Sequence, residues 1–186
     1  MPLVEAHILE GYSATEKSRL TDALTQAVRL VVPAPDNAIT VMLQEYPHKN
    51  YARGGQHRTP APALPDPKAI VRAYLHHMEA RDLEAAQALL GEGFEMTFPG
   101  APPMTQLDAL IAWAAPRYRS VVKTYDAVEA FQGDTAAVVY ARGTLSGAWP
   151  DGISFDGIRF IDRFELVEGK ITRQEVWNDI AEVRPR

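Results

Sequence analysis

Thr59-Pro60-Ala61-Pro62-Ala63-Leu64-Pro65-Asp66-Pro67 divides this chain in two. Four prolines within eight residues restrict φ and favour an extended, semi-rigid path. Residues 58–65 are therefore predicted to link a first domain, 1–57, to a second, 66–186. On both sides the composition is that of a folded protein: 46% of the 186 residues are hydrophobic and 23% charged, which disfavours disorder, collagen and coiled coils. The formal net charge is −5, with neither side of the linker basic, so no nucleic-acid partner is expected. No apolar run approaches the ~20 residues of a membrane span. The opening Met1-Pro2-Leu3-Val4-Glu5 also lacks the regions of a signal peptide, so no membrane partner and a cytoplasmic location are expected. The absence of cysteine removes disulfides, thiolate metal sites and thiol nucleophiles. His7, His48, His57, His76 and His77 show no metal-ligand spacing, and no phosphate loop or dinucleotide fingerprint occurs, so neither metal nor other cofactor is expected.

Before the linker, Leu3–Leu9 reads as a strand, and Ser13-Ala14-Thr15-Glu16 is a capping box that opens a helix. Leu20, Leu24, Ala27, Val28 and Val31 continue it at helical spacing until Pro33 and Pro35. Ile39-Thr40-Val41-Met42-Leu43 is a second strand, and Gly54-Gly55 a closing turn. Such a β-α-β piece is too small to bury a self-sufficient core, which predicts a homo-oligomer.

After the linker, Asp66-Pro67 caps a helix carrying Ile70, Val71, Tyr74, Leu75 and Met78 on one face, and Asp82 caps a second helix expected to run through Leu90. A third helical stretch runs from Thr105 to about Ala115, and four strands follow Arg119. Helices first and strands after predict an α+β layer. Period two along Ile158–Leu166 places Asp162 on one face with Ile158, Phe160, Phe164 and Leu166. A carboxyl group among apolar neighbours needs a hydrogen bond or a raised pKa, as functional acids have. Tyr74, on an apolar helix face, needs a partner for its hydroxyl, and Trp177-Asn178-Asp179 adds an aromatic and polar cluster near the end.

Proline directly after the initiator methionine is chemically suggestive. Removal of Met1 would leave Pro2 as a secondary amine, and α-amino groups titrate near 7.7–8.0, so a modest downward shift yields a neutral base. Pro2-Leu3-Val4-Glu5-Ala6-His7-Ile8-Leu9-Glu10-Gly11, the following helix, and Ile39–Glu45 through Asn50-Tyr51-Ala52-Arg53-Gly54-Gly55 resemble the 4-oxalocrotonate tautomerase family over the first ~57 residues. The resemblance implies that Pro2 is the general base and that Tyr51, before the paired glycines, lines the pocket. Tyr12 and Thr40 stand where the best-known members carry two substrate-binding arginines, so those two residues would contact substrate differently, with Arg53, Arg58 or Arg19 as a replacement cation.

The second part resembles the cone-shaped α+β barrels of the nuclear transport factor two superfamily, which includes ketosteroid isomerase and SnoaL-like polyketide cyclases. The resemblance runs through Val71–Leu75, Ala80–Leu83, Phe94–Pro99, Phe160–Gly169 and Trp177–Asp179. It places Tyr74 and Asp162 at the isomerase branch's two oxyanion-binding positions, where the pair would orient a carbonyl or satisfy each other in the core, and Phe98 at that of its catalytic aspartate, with Trp177 completing a pocket. The expected architecture is thus α+β, an amino-terminal β-α-β tautomerase-like module followed by a cone-shaped α+β barrel. The expected function is cofactor-independent isomerisation of a small oxo acid or enol by Pro2. The alternative is a small-molecule-binding or cyclase-like protein that uses the second pocket, with the first domain as an oligomerisation module.

Overall fold

The computed structural model describes residues 1–183, in two compact units, one from Met1 to Ala63 and one from Leu64 onward. The last residues of the expected second domain, 184–186, lie outside the described residues.

In the first unit, β1 (Leu3–Leu9) leads through α1 (Ala14–Arg29) to β2 (Thr40–Tyr46), which lies parallel to β1 with Leu3 opposite Thr40 and Leu9 opposite Tyr46. The helix begins at its sequence signal. The Ser13 hydroxyl accepts from the Glu16 amide at 3.3 Å and the Glu16 carboxylate from the Ser13 amide at 2.7 Å, which satisfies two amides that the first turn otherwise leaves open. Lys17 of α1 pairs with Glu45 of β2 at 2.8 Å, on the strand face shared with Val41 and Leu43. The opposite sheet face is open: Leu3 is 61% and Met42 49% exposed, and no residue described in this unit is buried. A two-residue hairpin, β3 (Ala52–Arg53) with β4 (Gln56–His57), follows. Gly54 and Gly55, at φ 59° and 75°, supply the left-handed pair its turn requires.

In the second unit, Asp66 caps α2 (Pro67–Ala80), accepting from the Lys68 amide at 3.0 Å. Asp82 caps α3 (Leu83–Gln87). The helix expected to reach Leu90 stops at Gln87 instead, and Leu90 opens a strand the sequence reading missed, β5 (Leu90–Thr97). The cause is tertiary. Leu90-Gly91-Glu92-Gly93 has weak strand preference of its own, and its neighbours pair in parallel with the last strand of the chain. Then come α4 (Leu107–Ala114), β6 (Ser120–Gln132), β7 (Ala137–Ala148), β8 (Ser154–Val167), β9 (Lys170–Asn178) and α5 (Ile180–Val183). The sheet order is β5-β9-β8-β7-β6, antiparallel except for β5 with β9. The architecture is the expected α+β one, and β5 and β6 remain edges, so the cone is an open sheet rather than a closed barrel. The core lies between sheet and helices, where Val71 and Leu75 of α2 and Leu107 and Leu110 of α4 meet Phe94 and Met96 of β5, Phe164 of β8 and Ile171 of β9. Along β8, Ile158, Phe160, Asp162, Phe164 and Leu166 are all buried, as period two requires. Among the described residues no helix is long and apolar enough to cross a membrane.

Candidate functional site

Each unit has its own candidate. In the first, Pro2 immediately precedes β1, and its carbonyl accepts from the Thr40 amide at 3.1 Å, so Pro2 and Thr40 share one end of the sheet. Tyr12 lies past the other end of β1. A strand of seven residues at about 3.3 Å each puts roughly 20 Å between those ends. The Tyr12 hydroxyl donates instead to the Ala61 carbonyl at 3.0 Å. Tyr51 and Arg53 belong to the hairpin segment that leaves the same far end after β2, both exposed, with the Tyr51 carbonyl 3.3 Å from His57 Nδ1. One copy of this unit therefore brings Pro2 and Thr40 together and leaves Tyr12 apart from them. At the far end His7 and Tyr46 stack, with His7 Nδ1 3.0 Å from the Tyr46 hydroxyl.

The second unit forms a partly open cavity of about 110 Å³ between α2, α4 and the sheet. Its wall includes Tyr74, Met78, Phe98, Tyr118, Lys123 and Gln174. Behind the wall, Asp162 is fully buried, with one carboxylate oxygen ion-paired to Lys123 Nζ and the other, Oδ1, without a hydrogen-bond partner. Lys123 reaches it because Val121, Lys123 and Tyr125 alternate onto the inner face of β6. The ammonium also stands 4.6 Å over the Phe160 ring. Burial pushes the Asp162 carboxyl upward and Lys123 pulls it back. Burial, reinforced by the Asp162 charge, also raises the Tyr74 hydroxyl and pushes Tyr125 up to about 12. Tyr118 is raised mainly by burial.

Two sequence expectations change here. Tyr74 does not partner Asp162: its hydroxyl donates to Gln174 Oε1 at 3.0 Å, and Asp162 takes Lys123. Trp177 is not in the cavity. Gln174 and Val176 turn inward on β9, so Trp177 alternates outward, where it is 49% exposed. Phe98 does line the cavity, its ring 5.4 Å from that of Trp113, and offers no base there. Lys123 and Gln174 join the site in addition to the residues expected from sequence. The available signal was a lysine flanked at period two by Val121 and Tyr125, which marks a charge on an inward strand face. Among the described residues no group of three or more His, Asp or Glu side chains could hold a metal ion.

Comparison with known proteins accounts for both units. The tautomerase enzyme family matches residues 2–58 and the SnoaL-like domain family residues 71–174. The 2-hydroxymuconate tautomerase of Stutzerimonas stutzeri is 32% identical over 56 residues, covering 30% of this chain and 89% of that protein. A probable tautomerase of Bacillus cereus is 36% identical over 56 residues, covering 30% and 92%. Among solved structures, an NTF2-like protein of unknown function from Burkholderia pseudomallei aligns over 63% of this chain and 95% of its own, with a TM-score of 0.53 and 19% identity. An NTF2-like protein from Burkholderia thailandensis covers 66% and 100%, at 0.53 and 23%. These last two likenesses carry the fold. A tautomerase-like first unit and a SnoaL-like second thus meet in one polypeptide, and the chain belongs to the tautomerase family over residues 2–58 and to the SnoaL-like family over residues 71–174.

Proposed function

We propose that the chain is a cofactor-independent tautomerase of small oxo acids or enols, with Pro2 as its general base. The observation that supports this is the place of Pro2, at the free end of β1 with its carbonyl held by Thr40, in a segment the tautomerase family matches from residue 2 onward. Removal of Met1 converts its nitrogen from an amide to a secondary amine. The neutral amine takes a proton from the carbon next to a substrate carbonyl as the oxygen becomes an enolate, and the ammonium so formed reprotonates the other position. Arg53 would supply the cation for a substrate carboxylate, with Tyr12, Tyr51 and the Thr40 hydroxyl lining the site.

Because Tyr12 lies a strand's length from Pro2, a pocket containing both draws them from different copies of the chain. The open sheet face of the first unit supports the same homo-oligomer. Intact mass and a rate measurement test the reading together. The purified protein should lack Met1, and Pro2→Ala should slow enol–keto conversion of phenylpyruvate by about 100-fold or more, the usual scale of a general base. Retained Met1 with active protein, or unchanged turnover in the variant, excludes Pro2 as the base.

A second reading is favoured by the Lys123–Asp162 pair at the cavity wall. In it the SnoaL-like unit binds a small molecule or acts in a cyclase-like way, and the first unit serves assembly.

A further inference from the structure

The cavity of the second unit has an unusual polar inventory for so small a space. Met78, Phe98 and Leu110 give it apolar walls, and its charged lining is two cations, Lys123 and Arg81, against one carboxylate, Glu79. Asp162 adds no surface of its own, since it is entirely buried behind Lys123. An ammonium has three N–H donors, and Asp162 Oδ2 uses one of them. The remaining donors belong to a side chain that lines the cavity and is 19% exposed. In the same lining, Gln174 spends its carbonyl oxygen on Tyr74, so its amide N–H group is what remains to offer a ligand. The cavity therefore presents donors over acceptors. An enclosed apolar cavity of about 150 Å³ holds a whole benzene ring, so this smaller space of about 110 Å³, open to solvent on one side, takes one ring with an edge left in water.

We propose that this cavity binds a ring-sized organic anion, a carboxylate or enolate, whose charged oxygen is received by Lys123 and the Gln174 amide, with Asp162 positioning Lys123. This rests on the second reading above, that the cavity takes a small molecule. A buried carboxylate at hydrogen-bond range holds the lysine near one rotamer region and so preorganises the donor before a ligand arrives. The ligand contributes the acceptor the wall lacks, and its apolar body replaces water against Phe98 and Leu110.

Calorimetric titration of the full chain with benzoate and with benzamide, its neutral counterpart of equal shape, tests this. Wild-type protein should bind benzoate at least tenfold more tightly than benzamide. Lys123→Met should remove that preference by lowering benzoate affinity to about that of benzamide. The paired change Lys123→Met with Asp162→Leu removes both charges and protects against loss of the fold through a stranded carboxylate, and it should behave like the single variant. Asp162→Asn keeps an acceptor for Lys123 and removes the competing charge, so it should retain benzamide binding and raise the benzoate preference, a shift that a purely structural role would not produce. Equal binding of both probes, or a benzoate preference that survives loss of Lys123, overturns the anion assignment while keeping the cavity as a ligand site. Binding of neither probe overturns the assignment together with the small-molecule reading beneath it.

Discussion

Asp162 and Lys123 show how a single residue's surroundings set its behaviour. The carboxyl group is wholly buried, one of its oxygens has no partner, and desolvation raises its pKa above the ordinary 3.8 despite Lys123. An acid whose folded pKa lies above its unfolded one holds more protons folded than unfolded, so its contribution to stability declines as pH rises from about 4 through the raised value. Asp162→Asn removes that decline. Urea unfolding of both proteins from pH 4 to pH 7 should therefore show the variant gaining on the wild type as pH rises, and a gap that moves the other way would identify the ion pair as the dominant influence. Tyr74 makes a neutral counterpart. Tyr74→Phe strands Gln174 Oε1 in the core and should cost about 1–3 kcal/mol in the same assay, with the fold retained.

At the scale of the element, strand pairing in the second unit depends on glycine where backbones approach. A Cβ on Gly143 of β7 would lie 1.9 Å from the Thr124 carbonyl oxygen of β6, and the obstruction is backbone, which cannot swing aside. Gly143→Ala should thus force the two strands apart beside the irregularity between Tyr125 and Ala127. A loss of about 1–3 kcal/mol, the range of overpacking, is expected by chemical denaturation. Helix starts follow a gentler rule. Ser13→Ala removes the capping hydroxyl of α1 and should lower stability by about 1 kcal/mol, visible as a shifted denaturation midpoint. If the first unit melts separately from the second, that shift should appear in its transition alone.

For the whole molecule, the decisive contrast lies between a second unit with a buried core and a first unit without any buried side chain. Leu3 and Met42 on the open sheet face have no cover within their own unit. Self-association would bury them and also unite Pro2 with Tyr12 from another copy. Sedimentation should therefore find an oligomer, and Met42→Lys, which sets a charge on that face, should shift it toward the monomer and lower phenylpyruvate turnover together. A monomeric wild type of full activity would contradict both the assembly and the composite pocket.

Signals carried by a few adjacent residues were readable along the chain. The Ser13 and Asp66 caps, the Gly54-Gly55 turn, the β1 span and the buried face of β8 all arise from local hydrogen bonding or from side-chain period, which need no distant partner. The departures all depend on residues far apart in sequence. β5 is a strand because β9 lies beside it, and Tyr74 turns to Gln174, a hundred residues away, rather than to Asp162. Lys123 becomes the counter-ion of Asp162 only once β6, β7 and β8 lie in register, and Trp177 leaves the cavity because the phase of β9 is set by its ladder with β8. Composition and period state which side chains must find partners, whereas sheet register decides which partners are within reach, since a shift of one residue sends each side chain to the opposite face.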